Sequence, residues 1–420
     1  MYSEFDEIYQ QVERQVGHWI QAASRLSNLE HLASLLAWEG LEQYLNIALR
    51  SSLEQGVNRL QQKAFILQRQ LHEAKTVNQL KHIETQIDTF KKSYLQTETI
   101  LDFYTDAINT RTNNEMAAIM RACDRIAFNS MKTILEPLGK KTPPVLTYCD
   151  KGLGASILKA GLRLWDGKTE SPAAAIKIVR HNLYRPTALI HESGHQIAHI
   201  LNWNDELSAV LYQLLKPTSK EVAQLWSGWT SEIAADTFAF VHTGYAAVAG
   251  LCDVISGNND FVFRYQPSDP HPISYLRLLL GTTMCRVSYG EGPWDQMERV
   301  WKRKYNLNDA GEEVRTLIQQ SLPLLNRIAS CCLHTSMKAF GNKAITFWIK
   351  PAKVNPQSLF QIREKAGNSL YTSPYWLSKE SIRLLALGGY QIATVPSKVP
   401  QLLQQQREWM IKLGQISHVA

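Results

Sequence analysis

A chain of 420 residues with 45% hydrophobic and 20% charged residues is too long for one small core and too ordinary in composition for a disordered or fibrous protein. It contains no apolar run of about 18 residues, so no membrane-spanning helix is expected. The net charge of +7 is modest for this length and fits a solvated surface, so no nucleic-acid partner is expected.

The start, Met1-Tyr2-Ser3-Glu4-Phe5-Asp6-Glu7, is acidic and polar, unlike a signal peptide. Cys123, Cys149, Cys252, Cys285, Cys331 and Cys332 form no Cys-x-x-Cys pair. A chain of this size needs no disulfide framework, so reduced thiols and a cytoplasmic setting are expected.

Residues 1–138 read as a helical arm, with no proline before Pro137. Leu53, Val57, Leu60, Ala64, Leu67, Leu71 and Ala74 repeat at 4-3 spacing. Leu80, Ile83, Ile87, Phe90, Tyr94 and Leu101 repeat it again, with Thr97 interrupting the seam. Lys75-Thr76-Val77-Asn78 shifts the register between them. This predicts two long amphipathic helices in a hairpin, either packed internally or serving as a docking arm for a partner protein.

Residues 135–144 are rich in turn formers and read as a linker. A central region, 139–295, follows. Val145–Cys149 and Ala173–Val179 read as strands, and Gly152-Leu153-Gly154 as a turn, since it lacks the ending of a phosphate loop. Ile176, Lys177, Ile178 and Val179 are expected to form an edge strand able to pair with an extended peptide.

The next stretch, Ala188-Leu189-Ile190-His191-Glu192-Ser193-Gly194-His195, carries His-Glu-x-x-His. On a helix capped at Thr187, His191 and His195 share a face and can bind one metal ion. Glu192 lies beside them, where a general base stands in zinc hydrolases. Residues 204–228 read as a helix, a turn at Lys216–Ser219, and a shorter helix.

Trp229 to Phe240 predicts a second buried helix with Glu232 and Asp236 one turn apart. Glu232 is the candidate third ligand. Asp236 is the candidate acceptor for the second N–H of a ligating imidazole. The bland alternative makes both carboxylates caps or solvent-facing groups. Phe261–Phe263 reads as a short strand. His242, Tyr245 and Tyr275 are further candidate donors, and Trp226 and Trp229 candidate cleft walls. Residues 296–420 read as a C-terminal helical region without a chemical motif, and Gln401–Gln406 as a helix surface.

His-Glu-x-Gly-His followed by Glu-x-x-Ala-Asp resembles the gluzincin metallopeptidases. Asp269-Pro270-His271-Pro272 with Arg277 six residues after the His is similar to the segment that follows the zinc ligands in the CAAX prenyl protease class and its soluble relatives. The resemblance spans about residues 140–280. It implies an α+β, predominantly helical protein. Its zincin-like core would hold a small sheet, flanked by the N-terminal hairpin and the C-terminal helices. It also implies a Zn2+ cofactor, a protein or peptide substrate, His271 facing the substrate carbonyl, and Arg277 supporting the site.

The expected activity is zinc-dependent peptide hydrolysis, with His191, His195 and Glu232 on the metal and Glu192 as base. Two alternatives stand beside it. Glu232-x-x-Ala235-x-x-Phe238-Ala239 also resembles metallopeptidases that cleave repressors. A structural or relic zinc site is the other, and it would draw a fourth ligand from His199, His242 or Cys149.

Overall fold

The computed structural model describes residues 3–161, 171–267 and 269–416. The apolar seams of the arm pack as their spacing predicts, and a third helix joins them. Helices α1 (Glu4–Arg25), α3 (Leu49–Glu73) and α4 (Val77–Thr110) enclose Val12, Val16, Leu60, Leu67, Leu71, Leu80, Ile83, Ile87 and Phe90. The register shift is a helix boundary: Thr76 caps α4 in a capping box with Gln79. Thr97 sits in the buried seam and returns its hydroxyl to the Ser93 carbonyl at 2.8 Å.

Helix α2 (Leu35–Leu45) and the root of the arm rest on the sheet. Trp38, Leu41, Leu53 and Tyr104 pack there with Leu146, Tyr148, Ala173 and Ala175. The next helix, α5 (Asn114–Leu135), packs on the opposite face of the sheet and against the central and C-terminal helices. Its buried Asp124 accepts from Thr147 N at 2.6 Å, Tyr44 OH at 2.8 Å and Arg111 Nη2 at 2.6 Å.

Strands β1 (Val145–Asp150), β2 (Ser156–Leu158) and β3 (Ala174–Val179) form one sheet in the order β1-β3-β2, with β1 parallel and β2 antiparallel to β3. This corrects the expected edge strand. Ile176, Lys177, Ile178 and Val179 lie in the middle of the sheet, and β1 and β2 are its two edge strands among the described residues. The near-continuous apolar run of β3 is the signature of a centrally buried strand. Three residues of β2 are too few to show a period of two.

Helix α6 (Thr187–Leu201) carries the His-Glu-x-x-His motif. It starts after Pro186 with no side-chain cap, so Thr187 is its first residue rather than its cap. Helices α7 (Trp203–Leu215) and α8 (Lys220–Gly228) follow with the turn where expected, and Ser219 caps α8. Helix α9 (Thr230–Thr243) then lies against α6. Gly194 permits that contact: a Cβ there would stand 2.8 Å from Ala235 Cα and 3.1 Å from its carbonyl oxygen. Backbone cannot yield as a side chain can. Gly194→Ala should therefore cost about 1–3 kcal/mol, read as a lower urea midpoint.

Beyond α10 (Tyr245–Ile255), Asn259–Val262 is a short helix, α11, capped by Asn258, not a strand. Helix α12 (Ser274–Tyr289) closes the central region. The C-terminal helices buttress it: Ser381–Thr394 packs on α9 and α10, and Val399–Gln415 on α5. The latter is no mere surface, for Leu402 and Gln406 are buried, and Gln406 accepts from Trp409 Nε1 at 2.8 Å. All six cysteines are free, and Cys331 and Cys332 are both buried. No helix among the described residues is long and apolar enough to cross a membrane.

Candidate metal centre

Helices α6 and α9 cross where their small residues meet, which brings His191 and His195 to Glu232. His191 Nε2 lies 3.4 Å from Glu232 Oε2, and His195 Nε2 lies 3.3 Å from Oε1. One ligand atom from each residue falls within 4.8 Å of the others. Two ligands at ~2.0–2.1 Å from a tetrahedral metal ion are about 3.3 Å apart, close to each His–Glu232 distance, so the three residues could hold a metal ion.

The far side of each imidazole is also held. His191 Nδ1 is 2.8 Å from Asp236 Oδ1, and His195 Nδ1 is 3.3 Å from Ser231 Oγ. Both rings thus turn Nε2 toward the ligand cluster. The Asp236 contact is the one expected from its spacing. Ser231 is an additional partner, legible only as the residue before Glu232.

Arg277 stands behind the ligands. Its Nε is 2.6 Å from Asp236 Oδ2, and its Nη2 is 2.8 Å from Asp236 Oδ1 and 2.9 Å from Glu232 Oε2. It is buried. One guanidinium therefore fixes both carboxylates, a bridging geometry that a planar fork supplies and an ammonium does not.

These contacts set the charges. Burial alone would lower the His191 pKa, but the Asp236 hydrogen bond and charge, aided by Glu232, raise it to about 10. Burial pushes Glu232 up, yet bonds from His191 and His195 and the Arg277 charge carry it far below the carboxylate range. Asp236 is likewise desolvated, and Arg277 and His191 bring it down to about 2. Glu192 moves the other way: burial raises its pKa, against the pull of His191 and His195.

A cavity of about 620 Å³ opens over the cluster. His191, Glu192, His195, Glu232, Asp236, His271 and Arg277 all border it. His271 has a 58% exposed side chain, with Nε2 3.7 Å from Glu232 Oε1 and Nδ1 2.6 Å from Asp269 Oδ1. It lies outside the set of mutually close ligand atoms.

None of Ile176, Lys177, Ile178 and Val179 borders the cavity. Ser156, Ile157 and Lys159, from β2 and the residue after it, do so instead. Tyr275 is buried against Phe263, and Trp226 packs edge-on to Trp229. Tyr245 lies against Trp294. His242 is buried beside Phe238, and burial draws its pKa down to about 3. Neither these residues nor His199 and Cys149 reach the cavity, and among the described residues no fourth His, Cys, Asp or Glu completes the cluster.

No family model, no curated protein and no solved structure matches the chain.

Proposed function

We propose that the protein is a zinc-dependent peptide hydrolase. The observation that carries this is the convergence of His191, His195 and Glu232 at metal-ligand spacing, beside a buried carboxylate, on an open cavity. His191, His195 and Glu232 would hold the ion, which supplies Lewis acidity and lowers the pKa of water toward ~7. A three-residue ligand set leaves a coordination position for chemistry, whereas structural zinc sites fill all four.

The remaining work belongs to the chain. Glu192 takes a proton from the water that attacks the peptide carbonyl. When the C–N bond breaks, it returns that proton to the leaving amine. Its raised pKa suits both tasks, since a base must bind the proton before it can deliver it. His271, with Nδ1 held by Asp269, presents Nε2 to the oxyanion. The free side of β2 offers backbone groups to an extended substrate. A zincin-like catalytic core spanning 139–295 and a cytoplasmic setting belong to the same proposal.

Elemental analysis should find about one zinc per chain, and Glu232→Ala should lose most of it. Binding has to displace the proton held by His191, whose raised pKa keeps it protonated below about 10. Zinc affinity should therefore rise about tenfold per pH unit between pH ~6 and ~9. Titration calorimetry in buffers of different ionisation enthalpy would count that proton. A pH-independent affinity, or zinc retained by Glu232→Ala, would sink this ligand assignment.

A further inference from the structure

Lys159 follows the last residue of the edge strand β2, and no sequence motif marks it. Its position is pinned. The next residue, Ala160, receives a hydrogen bond at its carbonyl from Gln196 Nε2 at 3.0 Å and donates its N–H to Gln196 Oε1 at 2.8 Å. Gln196 follows His195 on α6, so the end of β2 is tied to the metal-binding helix. Ile157 and Lys159, two apart on an extended backbone, both border the cavity.

The charges around the cavity are informative. Among the described residues its ionisable lining, histidines aside, consists of Lys159, Glu192, Glu232, Asp236, Arg264, Asp269 and Arg277. Arg277 is paired with Glu232 and Asp236. Asp269 is held by His271 and feels the charge of Arg264. With a divalent ion bound, Glu192, Glu232 and Asp236 are offset by that ion and Arg277. Among the described residues of the wall, the Lys159 ammonium is then the surplus charge. It forms no ion pair within 4 Å among the described residues. Burial draws its pKa down, opposed by Glu192 and Glu232. A half-buried cation that the described residues leave without an ion pair gains most from an arriving anion.

We propose that Lys159 is a specificity-determining residue, whose ammonium pairs with a carboxylate of the bound peptide close to the scissile bond. The proposal deepens the hydrolase reading and rests on it. Two sources supply such a carboxylate: an acidic side chain, or the C-terminus of the substrate.

The test uses the full-length, zinc-loaded chain and a degenerate peptide pool in two forms, one with free C-terminal acids and one amidated. Cleavage products are read by mass spectrometry. Wild type should favour Asp and Glu near the cleaved bond in both pools, or should cleave the acid pool over the amidated one. Lys159→Met should flatten the preference, Lys159→Arg should retain it, and Lys159→Glu should turn it toward Lys and Arg. Fluorescence anisotropy on Glu192→Gln protein, with labelled peptides differing by Glu or Gln, supplies a readout without turnover. There Lys159→Met should weaken the acidic peptide about ten- to hundredfold and leave the neutral one unchanged.

Equal cleavage and binding of acidic and neutral peptides by wild type would overturn the Lys159 proposal alone. No cleavage of either pool by zinc-loaded wild type would overturn the hydrolase reading beneath it. Zinc content and circular dichroism of each variant separate a lost preference from a lost fold, and retention by Lys159→Arg separates charge from packing.

Discussion

Glu192→Gln is expected to keep its zinc and lose peptide hydrolysis by on the order of 10²–10⁴-fold, the usual worth of a positioned general base. The substitution preserves shape and removes the capacity to accept a proton. Zinc should stay because the ligand cluster consists of His191, His195 and Glu232, without Glu192. Stability should hold or improve, because Glu192 is a desolvated carboxylate whose pKa burial has raised, and a neutral amide escapes that penalty. The same carboxylate governs the acid limb of the wild-type profile. Activity should fall with decreasing pH as Glu192 takes up a proton, at a pH that burial raises and a bound cation lowers. The checks are kcat on a cleaved peptide, zinc content and a urea curve for both proteins. Full activity in the variant would remove Glu192 from the chemistry.

Arg277→Met should be the most damaging single change to folding, at about 3–5 kcal/mol, because it strips the partner from buried charge. Both carboxylates it holds are ionised over the working range, with Asp236 at about 2 and Glu232 below the carboxylate range. Removing the guanidinium leaves them facing one another, with the contacts of His191 to both and of His195 to Glu232 left to offset them. Arg277→Lys should cost less but not restore the wild type, since one ammonium cannot reproduce bonds from Nε and Nη2 to two acids. Added zinc should narrow the deficit, because the ion supplies positive charge at the same carboxylates and binds only the folded cluster. Urea midpoints with and without zinc test both points. A midpoint near wild type for Arg277→Met would mean that water already screens the three charges.

The parts of this architecture that were legible in the sequence are those with a period or a fixed spacing. The 4-3 seams of α3 and α4 are long enough to declare a helix pair, and His191 with His195, and Glu232 with Asp236, are one turn apart whatever surrounds them. The parts that escaped depend on what meets in space. Strand β2 is too short for alternation, so the neighbouring β3, louder in apolar content, was assigned the edge that β2 holds. Lys159 stands out only once Gln196 ties its neighbour to α6. Ser231 gains meaning only when α9 turns it toward His195. Helix α1 is indistinct beside α3 and α4, because its buried face, Val12, Val16 and Ala23, gains a partner only when both of those helices are in place. Gln406 reads as surface in a glutamine-rich run, but it is buried against Gly388 of Ser381–Thr394, where Trp409 gives it a bond.

The Asp124 junction has a mechanical consequence. Tyr44 of α2, Arg111 at the end of α4 and Thr147 of β1 all converge on one carboxylate, and Arg111 also reaches the Thr147 carbonyl. The root of the three-helix bundle is thereby riveted to the sheet instead of swinging on a hinge. Torque applied at the far tip of the bundle is delivered to β1, then through its ladder to β3 and β2, the strand that borders the cavity.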